Sequence, residues 1–377
     1  MKPSSASPLL SLFALVGTLI APPVHAQSPA VTTEVVARGL QNPWGLAFLG
    51  EGRMLVTERP GRMRVIEADG RVGDALSGVP KVDAVGQGGL LDVIADRDFA
   101  RNRTVHFCYA EPAATGSGNS TALASARLTP DAKALENVKV IFSQKPKFSS
   151  RLHFGCRIVQ TNDGNLFLGL GDRFQRMADA QTLDNHHGKV VRIRPDGSAL
   201  PDNPYVSRSG ALPEIWSIGH RNVQAATLGH DGRLWTIEHG PQGGDEINIT
   251  QAGKNYGWPV ITYGENYGGG QIGDGITSKP GLEQPLHYWK PSIAPSGMAF
   301  VKSDRYGKDW QGNLLVGSLK FRYLARIVLD GDRVAREEKL LPDLGQRVRD
   351  VREGPDGFIY LLTDDRDGQL LRLRPGA

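Results

Sequence analysis

Apolar positions in this chain come in short runs rich in Val, Ile, Leu, Phe and Tyr, and each run is interrupted after a few residues. Glycine and proline together make up close to a fifth of the chain and supply many of the interruptions. The spacing expected of amphipathic helices is nearly absent. Short apolar runs bounded by turn-forming residues are typical of β-strands joined by tight turns. The pattern therefore predicts an all-β protein with almost no helix.

The strands are predicted to recur as a unit: an apolar strand, a tight turn, a second apolar strand, a polar or glycine-rich loop, and a third strand that carries arginine. Six copies are recognisable, starting at Asn42, Leu90, Gly155, Val223, Ser296 and Val348. Three of them share an Asp-Gly pair at the same place, namely Asp163-Gly164, Asp231-Gly232 and Asp356-Gly357. Such pairs adopt positive φ readily and close hairpins. Six small antiparallel sheets predict a six-bladed β-propeller, and the shared turns disfavour the alternative, a β-sandwich.

The two ends of the repeat region indicate how the ring closes. Residues 33–38 precede the first full unit, and the last unit, which ends near Arg374, lacks one strand. We expect the N-terminal strand to complete the last blade. Residues 27–377 then form a single propeller domain.

The first 26 residues have the three parts of a secretory signal peptide. Lys2 is followed by an apolar run over residues 9–21 and by a small residue, Ala26, at the predicted cleavage point. The run is shorter than the ~20 residues needed to span a bilayer. We therefore expect a cleaved signal, a periplasmic or secreted protein, and no membrane span.

Charge and cysteine content narrow the function further. Lysine and arginine number 44, aspartate and glutamate 40, and no basic block occurs, so nucleic-acid binding is not indicated. Cys108 and Cys156 are the only cysteines. An exported protein can pair them, but pairing needs Cα atoms within ~7 Å, so a disulfide and two free thiols both remain open. Neither cysteine resembles part of a metal-binding pair or a catalytic thiol.

Long insertions fall between particular strands, at residues 174–187, 196–213, 242–255 and 262–291. In a propeller such loops gather on one face and commonly build the site. His153 lies at a predicted strand start and has the near-neutral pKa of a general base. The alternative is a half-buried histidine held by the backbone, and an isolated histidine is more often structural.

Residues 238–248, with the sequence EHGPQGGDEIN, offer many oxygen ligands. Gly240 and Pro241 expose main-chain carbonyls, and Asp245 and Glu246 add carboxylates. Mixed carbonyl and carboxylate donors suit Ca²⁺. The alternative is a plain acidic surface loop.

Three cations form another candidate site. Arg347 and Arg349 alternate in sequence, so both side chains point to one side of an extended segment. With Lys320 they suit a ligand rich in carboxylates. The alternative is a solvated edge strand.

Nine motifs follow one another along the chain: NPWGLAF from Asn42, GQGGLLDV from Gly86, HFGCRIV from His153, IGHRN from Ile218, EHGPQGGDEIN from Glu238, NYGWP from Asn255, APSGMAF from Ala294, GSLK from Gly317 and GQRVRDVREGPDG from Gly345. Together they resemble the soluble sugar dehydrogenases that depend on pyrroloquinoline quinone (PQQ), in particular the aldose sugar dehydrogenase branch. The resemblance runs through the whole mature chain. It implies a propeller oxidoreductase that uses PQQ and Ca²⁺ to oxidise aldoses at C1 to aldonolactones.

The resemblance also implies a role for individual residues. His153 is the general base that takes the proton of the C1 hydroxyl while hydride passes to the quinone, and Gln87 and Arg221 act beside it. The residues implied to contact PQQ are Gln87, Arg221, Asn222, Tyr267, Lys320, Arg347 and Arg349. Those implied at the calcium ion are Gly240 and Pro241, through their carbonyl oxygens, with Glu246 and Tyr256.

One position departs from the family pattern. The glucose dehydrogenases of the family carry an aspartate immediately before the base, and this chain has Leu152 there. The departure puts a strong glucose preference in doubt and suggests a broad range of aldoses. The natural sugar, the periplasmic electron acceptor and the choice between monomer and homodimer stay open.

Two other functions fit a six-bladed propeller. A calcium-dependent lactonase needs carboxylate and asparagine ligands around the central channel, and the cationic cluster argues against it. A non-enzymatic propeller that binds a partner on its top face needs no base. The joint presence of His153, Gln87 and Arg221 argues against that function.

Overall fold

The structure is a computed structural model that describes Met1 and residues 31–376. Twenty-four strands form six four-stranded antiparallel sheets, which are the blades of a propeller. The predicted all-β, six-bladed fold is thereby confirmed. The predicted signal peptide, residues 1–26, lies outside the described residues apart from Met1, so its cleavage stays a prediction. None of the helices among the described residues is long and apolar enough to cross a membrane.

Each blade is a meander whose innermost strand contacts the innermost strands of its neighbours. Blade 1 contains β2 (Pro43–Gly50), β3 (Arg53–Glu58), β4 (Arg62–Ile66) and β5 (Val72–Ala75). Blade 2 contains β6 (Leu90–Ala95), β7 (Thr104–Pro112), β8 (Asn119–Leu128) and β9 (Leu135–Ser143). Blade 3 contains β10 (Gly155–Gln160), β11 (Leu166–Leu170), β12 (Lys189–Ile193) and β13 (Ile215–Ile218).

The second half of the ring repeats the arrangement. Blade 4 contains β14 (Val223–Leu228), β15 (Leu234–Glu238), β16 (Asp245–Thr250) and β17 (His287–Trp289). Blade 5 contains β18 (Pro295–Phe300), β19 (Leu314–Ser318), β20 (Leu324–Asp330) and β21 (Arg333–Leu340). Blade 6 contains β22 (Val348–Glu353), β23 (Ile359–Thr363), β24 (Gly368–Pro375) and β1 (Val31–Leu40). The described helical segments are α1 (Phe99–Asn102) and two 3₁₀ turns, Met177–Gln181 and Lys308–Trp310.

The N-terminal strand closes the ring as predicted. β1 pairs antiparallel with β24, from Val31 opposite Pro375 to Leu40 opposite Gly368. The carboxylate of Glu34 forms ion pairs across this seam with two arginines of β24, Arg372 and Arg374. A strand ladder therefore joins the first and last parts of the propeller, with β1 as the outer strand of blade 6.

Apolar side chains fill the spaces between blades. Strands β3, β11 and β19 are buried along almost their entire length because both faces pack against other blades. This explains the continuous apolar runs in the sequence. The Asp-Gly turns have the expected geometry, since Gly164, Gly232 and Gly357 have φ values of 86°, 79° and 77°.

Four charged side chains, three of them buried and the fourth half-buried, link the inner strands near the propeller axis. Nη1 of Arg157 on β10 lies 3.0 Å from a carboxylate oxygen of both Asp92 on β6 and Asp350 on β22. Arg352 on β22 bonds the same two carboxylates at 2.7 and 2.9 Å. Each charge is thus paired, as burial requires. The axis is held by arginine–aspartate pairs from blades 2, 3 and 6.

The cysteine question that the sequence left open has an answer in the structure. Cys108 on β7 and Cys156 on β10 form a disulfide, with Cα atoms 5.8 Å apart. Both residues are fully buried. The bridge therefore joins blade 2 covalently to the inner strand of blade 3.

Candidate active site

The predicted site residues meet at one end of the central channel, where the inner strands of the blades begin. One cleft of about 350 Å³ is lined in part by Gln87, Arg347 and Arg349. A second cleft, of about 340 Å³, is lined in part by His153, Arg221, Pro241 and Tyr267. A small pocket of about 10 Å³ has Gly240, Glu246, Tyr256 and Arg221 in its wall.

Two predicted residues lie just outside these walls. Asn222 is buried, and its Oδ1 accepts a hydrogen bond from the N–H of Gly155, which lines the first cleft. Lys320 is exposed at the rim, next to Leu319 of the same cleft. Its Nζ lies 5.1 Å from the ring centre of Phe321. Asn222 therefore bonds a residue of the cleft wall, and Lys320 lies at the rim of the cleft.

His153 lies immediately before β10 and is held by a buried carboxylate. Its Nδ1 is 2.6 Å from Oδ1 of Asp172, which follows β11. Oδ2 of Asp172 accepts a bond of 2.7 Å from the indole N–H of Trp258. The carboxylate thus accepts a hydrogen bond from Nδ1–H, which keeps the proton on Nδ1 and leaves Nε2 as the basic atom. This is the arrangement of an oriented general base.

A glycine allows these two segments to approach. A Cβ at Gly171 would lie 2.1 Å from the carbonyl oxygen of His153, so a larger residue cannot occupy the end of this hairpin. The N–H of His153 also donates to Oε1 of Gln87 at 2.9 Å. The ring of Phe174 meets the imidazole edge-on, with centroids 5.2 Å apart. The histidine is therefore fixed through its backbone, its Nδ1 and one face of its ring.

The surroundings determine the protonation states of His153 and Asp172. Burial, the charge of Arg221 and that of Arg173 lower the pKa of His153, against the opposing effect of Asp172. Burial raises the pKa of Asp172, but the hydrogen bond and charge of His153 and the charge of Arg221 outweigh it and lower that pKa below its usual range. At neutral pH the pair is therefore a neutral imidazole beside a carboxylate.

Arg221 connects the base to the oxygen-rich loop. Its Nη1 donates to the carbonyls of His239 at 3.0 Å and Gly240 at 2.6 Å. Its guanidinium carbon lies 5.2 Å from the ring centre of Trp258. A fixed positive charge thus borders both the second cleft and the small pocket.

The two alternating arginines share one carboxylate in the first cleft. Asp364 accepts bonds from Arg349 at 2.7 Å and Arg347 at 3.2 Å. Burial raises the pKa of Asp364, but the charges and bonds of the two arginines lower it well below its usual range. Arg349 is buried and Arg347 is exposed. Two cations with one anion leave this wall of the cleft positive.

The small pocket holds buried carboxylates. Glu238 accepts bonds from Nδ1 of His220 at 2.9 Å and from the N–H of Arg221 at 2.5 Å. Burial, with the charges of Glu238 and Asp245, raises the pKa of Glu246 to about 8. A site that crowds carboxylates and carbonyls in this way has the donor chemistry of a hard cation.

Tyr256 contributes to the wall of the pocket in a different way. Its hydroxyl donates to the carbonyl of Ile249 at 2.6 Å and accepts from the N–H of Gln251 at 2.8 Å. Its ring stacks on that of His220, with centroids 4.8 Å apart. The hydroxyl is thus engaged by backbone, and the ring is what faces the pocket.

Several residues that complete the site were absent from the sequence prediction, namely Asp172, Trp258, Glu238 and Asp364. Asp172 could have been found from the sequence, because it follows β11, and β11 pairs with β10, the strand that follows His153. Trp258 lies in the NYGWP motif but had no assigned role. The axial carboxylates, Asp92 and Asp350, are paired with arginine. Among residues 31–376, no group of three or more His, Cys, Asp or Glu side chains is placed to hold a metal ion.

Known proteins share this architecture over nearly the whole chain. The family model described as Glucose / Sorbosone dehydrogenase matches residues 40–372. Aldose sugar dehydrogenase YliI of Escherichia coli (strain K12) is 45% identical over 353 residues, which cover 93% of this chain and 94% of that protein.

Solved structures of sugar dehydrogenases are similar to this chain in both sequence and fold. A crystal structure of a glucose dehydrogenase has a TM-score of 0.88 at 48% identity, covering 92% of this chain and 99% of that one. The PQQ-bound aldose sugar dehydrogenase of Streptomyces coelicolor has a TM-score of 0.74 at 28% identity, covering 92% and 100%. With sequence and fold both matched along almost its full length, the chain belongs to the glucose/sorbosone dehydrogenase family, a family of oxidoreductases.

Proposed function

We propose that this protein oxidises aldose sugars at C1 to aldonolactones with PQQ that is held by a calcium ion. The observation that carries the proposal is the imidazole of His153, oriented by Asp172 and facing a cleft beside Arg221. Removing a proton from a sugar hydroxyl needs a neutral base at a fixed position and a nearby positive charge for the developing oxyanion. Both are present in this cleft.

The first test of the proposal is whether the residues present fit PQQ, a planar quinone with three carboxylates. Among the predicted site residues, three buried donors have no hydrogen-bond partner in the described part of the chain: Nε of Arg221, Nδ2 of Asn222 and Nε of Arg349. Leaving such a group unpaired costs about 1–3 kcal/mol. A ligand rich in acceptors relieves that cost, so the donor set fits the cofactor.

The residues divide between the two ends of such a ligand. Arg347, Arg349 and Lys320 would hold carboxylates, as charge-assisted bonds from guanidinium and ammonium groups do. Arg221, Asn222 and Gln87 would contact the quinone end, next to His153. Tyr267, which is 64% exposed in the wall of the second cleft, would lie over the ring.

The oxygen-rich loop fits calcium by the same kind of reasoning. The carbonyl of Gly240 already accepts a bond from a cation, Arg221. The carbonyl of Pro241 and the carboxylate of Glu246 lie in the walls around it. We assign these three oxygens to the ion and place Tyr256 in the supporting wall, because its hydroxyl is bonded to backbone.

When bound, PQQ supplies the two-electron acceptor that takes the hydride of C1. The chain supplies the proton chemistry and the positions of the groups. Nε2 of His153 takes the proton of the C1 hydroxyl, and Asp172 stabilises the imidazolium that results. Arg221 stabilises negative charge on the oxygens near it. Trp258 holds the far oxygen of Asp172, and Phe174 packs edge-on against the imidazole.

Two further parts of the proposal concern the range of sugars that the protein oxidises and its location in the cell. Leu152 puts an aliphatic, half-buried side chain next to the base, so the site lacks one polar contact to the sugar and accepts several aldoses. The N-terminal sequence pattern supports export to the periplasm or beyond.

The experiment that tests the proposal is reconstitution of the purified apo-protein. PQQ is added with CaCl₂ or with a calcium chelator, cofactor binding is measured by absorbance after gel filtration, and dye reduction is followed with a panel of aldoses. We expect aldose-dependent dye reduction only in the calcium arm. Bound cofactor without any aldose oxidation would refute the proposed function.

A further inference from the structure

The backbone around His153 has an uncommon conformation. His153, Gly155 and Cys156 have φ values of 51°, 66° and 79°. Two of these residues carry a Cβ, and the left-handed region is rarely occupied by residues other than glycine, asparagine and aspartate. Conformations of this kind persist only where the surrounding structure fixes them.

The unusual segment contains a β-bulge that changes the strand register. From Gln160 opposite Leu166 to Arg157 opposite Gly169, β10 and β11 follow one register, but Gly155 pairs with Leu170. Cys156 is therefore the extra residue of the bulge. Beyond Gly155 the two segments leave the ladder: the N–H of Arg173 donates to the carbonyl of His153 at 3.3 Å, and the side chain of Asp172 reaches Nδ1 of the same histidine.

The base and its partners lie in this irregular part of the hairpin. Nδ1 of His153 has an acceptor in the carboxylate of Asp172. The guanidinium of Arg173 donates to the carbonyls of Leu152 and His153 at 2.8 and 3.2 Å. The orientation of the imidazole therefore depends on a backbone conformation that lies outside the regular ladder.

A covalent link holds the residue that makes the bulge. Cys156 is bound to Cys108 on β7 of the neighbouring blade, and both are fully buried. Blade 2 also bonds the segment through Thr121 on β8, whose hydroxyl donates to the carbonyl of Phe154 at 2.6 Å. The segment that carries His153 is therefore fastened to blade 2 just below the base.

We propose that the Cys108–Cys156 disulfide is a positioning element for His153, because it fixes the bulged backbone that holds the imidazole against Asp172. The proposal rests on the proposed function, in which His153 is the base. Neither cysteine lines the two clefts, so both act through the histidine. Loss of the bridge is expected to reduce kcat and to leave KM and the affinity for PQQ within about twofold.

The test compares the parent with the double variant Cys108→Ala/Cys156→Ala, both loaded with PQQ and Ca²⁺ and assayed far below their melting temperatures. Leu168→Ala is the matched control, since Leu168 lies in the same apolar cluster of blade 3 and outside the bridge. A misplaced catalytic group costs roughly tenfold to a hundredfold in rate. We expect that loss of kcat in the double variant and parental kcat in Leu168→Ala. Equal kcat in parent and double variant would overturn the proposal.

A second readout needs neither cofactor nor activity. In apo-protein with ¹⁵N-labelled histidine, the His153 signal, assigned with His153→Gln, reports which ring nitrogen carries the proton. The parent and Leu168→Ala are expected to hold the tautomer protonated at Nδ1, and the double variant a mixture. The parental tautomer in the double variant would sink the proposal, even if the parent proved unable to oxidise aldoses.

If the double variant does not fold, the parent chain itself provides the same comparison. Protein made in a reducing cytoplasm and kept as the dithiol, with both thiols counted in denaturant, has no substitution. The dithiol form is expected to show the mixed tautomer and the lower kcat, and both are expected to recover on oxidation. A dithiol form with parental kcat and tautomer would contradict the proposal.

Discussion

Nδ1 of His153 lies 2.6 Å from Oδ1 of Asp172, and the other oxygen of that carboxylate accepts a bond from Trp258. His153 and Asp172 belong to blade 3, and Trp258 lies in the loop between β16 and β17 of blade 4. They place a basic nitrogen at the wall of a cleft that also contains Arg221. The predictions below follow from this arrangement and from the cationic cleft beside it.

Replacing the base should abolish sugar oxidation while PQQ still binds. General-base help contributes about 10²–10⁴-fold in rate, so His153→Ala is expected to lose that much in kcat. His153→Gln should do little better, because an amide accepts a hydrogen bond but does not take the proton. Steady-state rates at saturating cofactor, with PQQ occupancy measured in parallel, provide the check.

Other histidines on the same side are poorer candidates for the base. His186 pairs with Glu214 and His187 pairs with Asp179. His239 bonds the carbonyl of Pro295 at 2.6 Å, and burial lowers its pKa to about 3. A His153→Ala enzyme that kept most of its activity would therefore contradict the assigned role directly.

Asp172→Asn should lower the rate and shift its pH dependence. The carboxylate raises the pKa of His153 against the effects of burial and Arg221, so its removal lowers that pKa further. Because the base must be deprotonated, the acidic limb of kcat/KM should move to lower pH, while the plateau falls by about tenfold or more as orientation is lost. Asp163→Asn, in the exposed turn of the same hairpin, is the control and should match the parent. An acidic limb that moved to higher pH would count against the pairing.

Arg349→Ala and Arg347→Ala should each weaken PQQ binding and leave the fold intact. A charge-assisted bond is worth about 1.5–3 kcal/mol, or roughly tenfold to a hundredfold in Kd. The effect should be larger for Arg349, which is buried and has an unpaired Nε in the described part of the chain. Titration calorimetry in the presence of Ca²⁺ measures it. Arg333→Ala, at an exposed pair with Asp330, is the control, and parental Kd in both test variants would contradict the assignment.

Leu152→Asp tests the origin of the expected broad range. The substitution restores a carboxylate next to the base, so the ratio of kcat/KM between aldoses should change, with hydroxyl-rich sugars favoured by about tenfold per new bond between a charged group and a hydroxyl. Leu152→Asn is the control for shape without charge. Unchanged ratios across a panel of aldoses would show that selectivity is determined elsewhere.

Most of the fold could be predicted from the sequence because the hydrophobic pattern and turns of each blade lie within one continuous segment. Apolar runs and Asp-Gly turns such as Asp231-Gly232 determine the hairpins, and a missing strand after Val348 reveals the closure. The clustering of His153, Arg347 and Arg349 could also be predicted, since the beginnings of inner strands meet at one end of a propeller.

What the sequence did not reveal depends on register and on side-chain conformation. The ladder that runs back from the Asp163-Gly164 turn is interrupted by the bulge at Cys156 and ends at Gly155, and a bulge has no reliable signal in a single sequence. The contact of Asp172 with Nδ1 of His153 lies beyond that ladder, so it could not be counted from the sequence. The disulfide between Cys108 and Cys156 could not be predicted from the sequence, because it depends on how blade 2 packs against blade 3.

The most direct test of the central claim is an anaerobic single turnover without any added electron acceptor. Protein reconstituted with PQQ and Ca²⁺ is mixed with excess aldose, and the absorbance of the bound cofactor and the lactone formed are measured together. The account predicts one lactone per bound PQQ with reduction of the cofactor, and neither signal in His153→Gln, despite equal PQQ occupancy. Cofactor that stays oxidised in the parent, or lactone formed at the parental rate by His153→Gln, would contradict it.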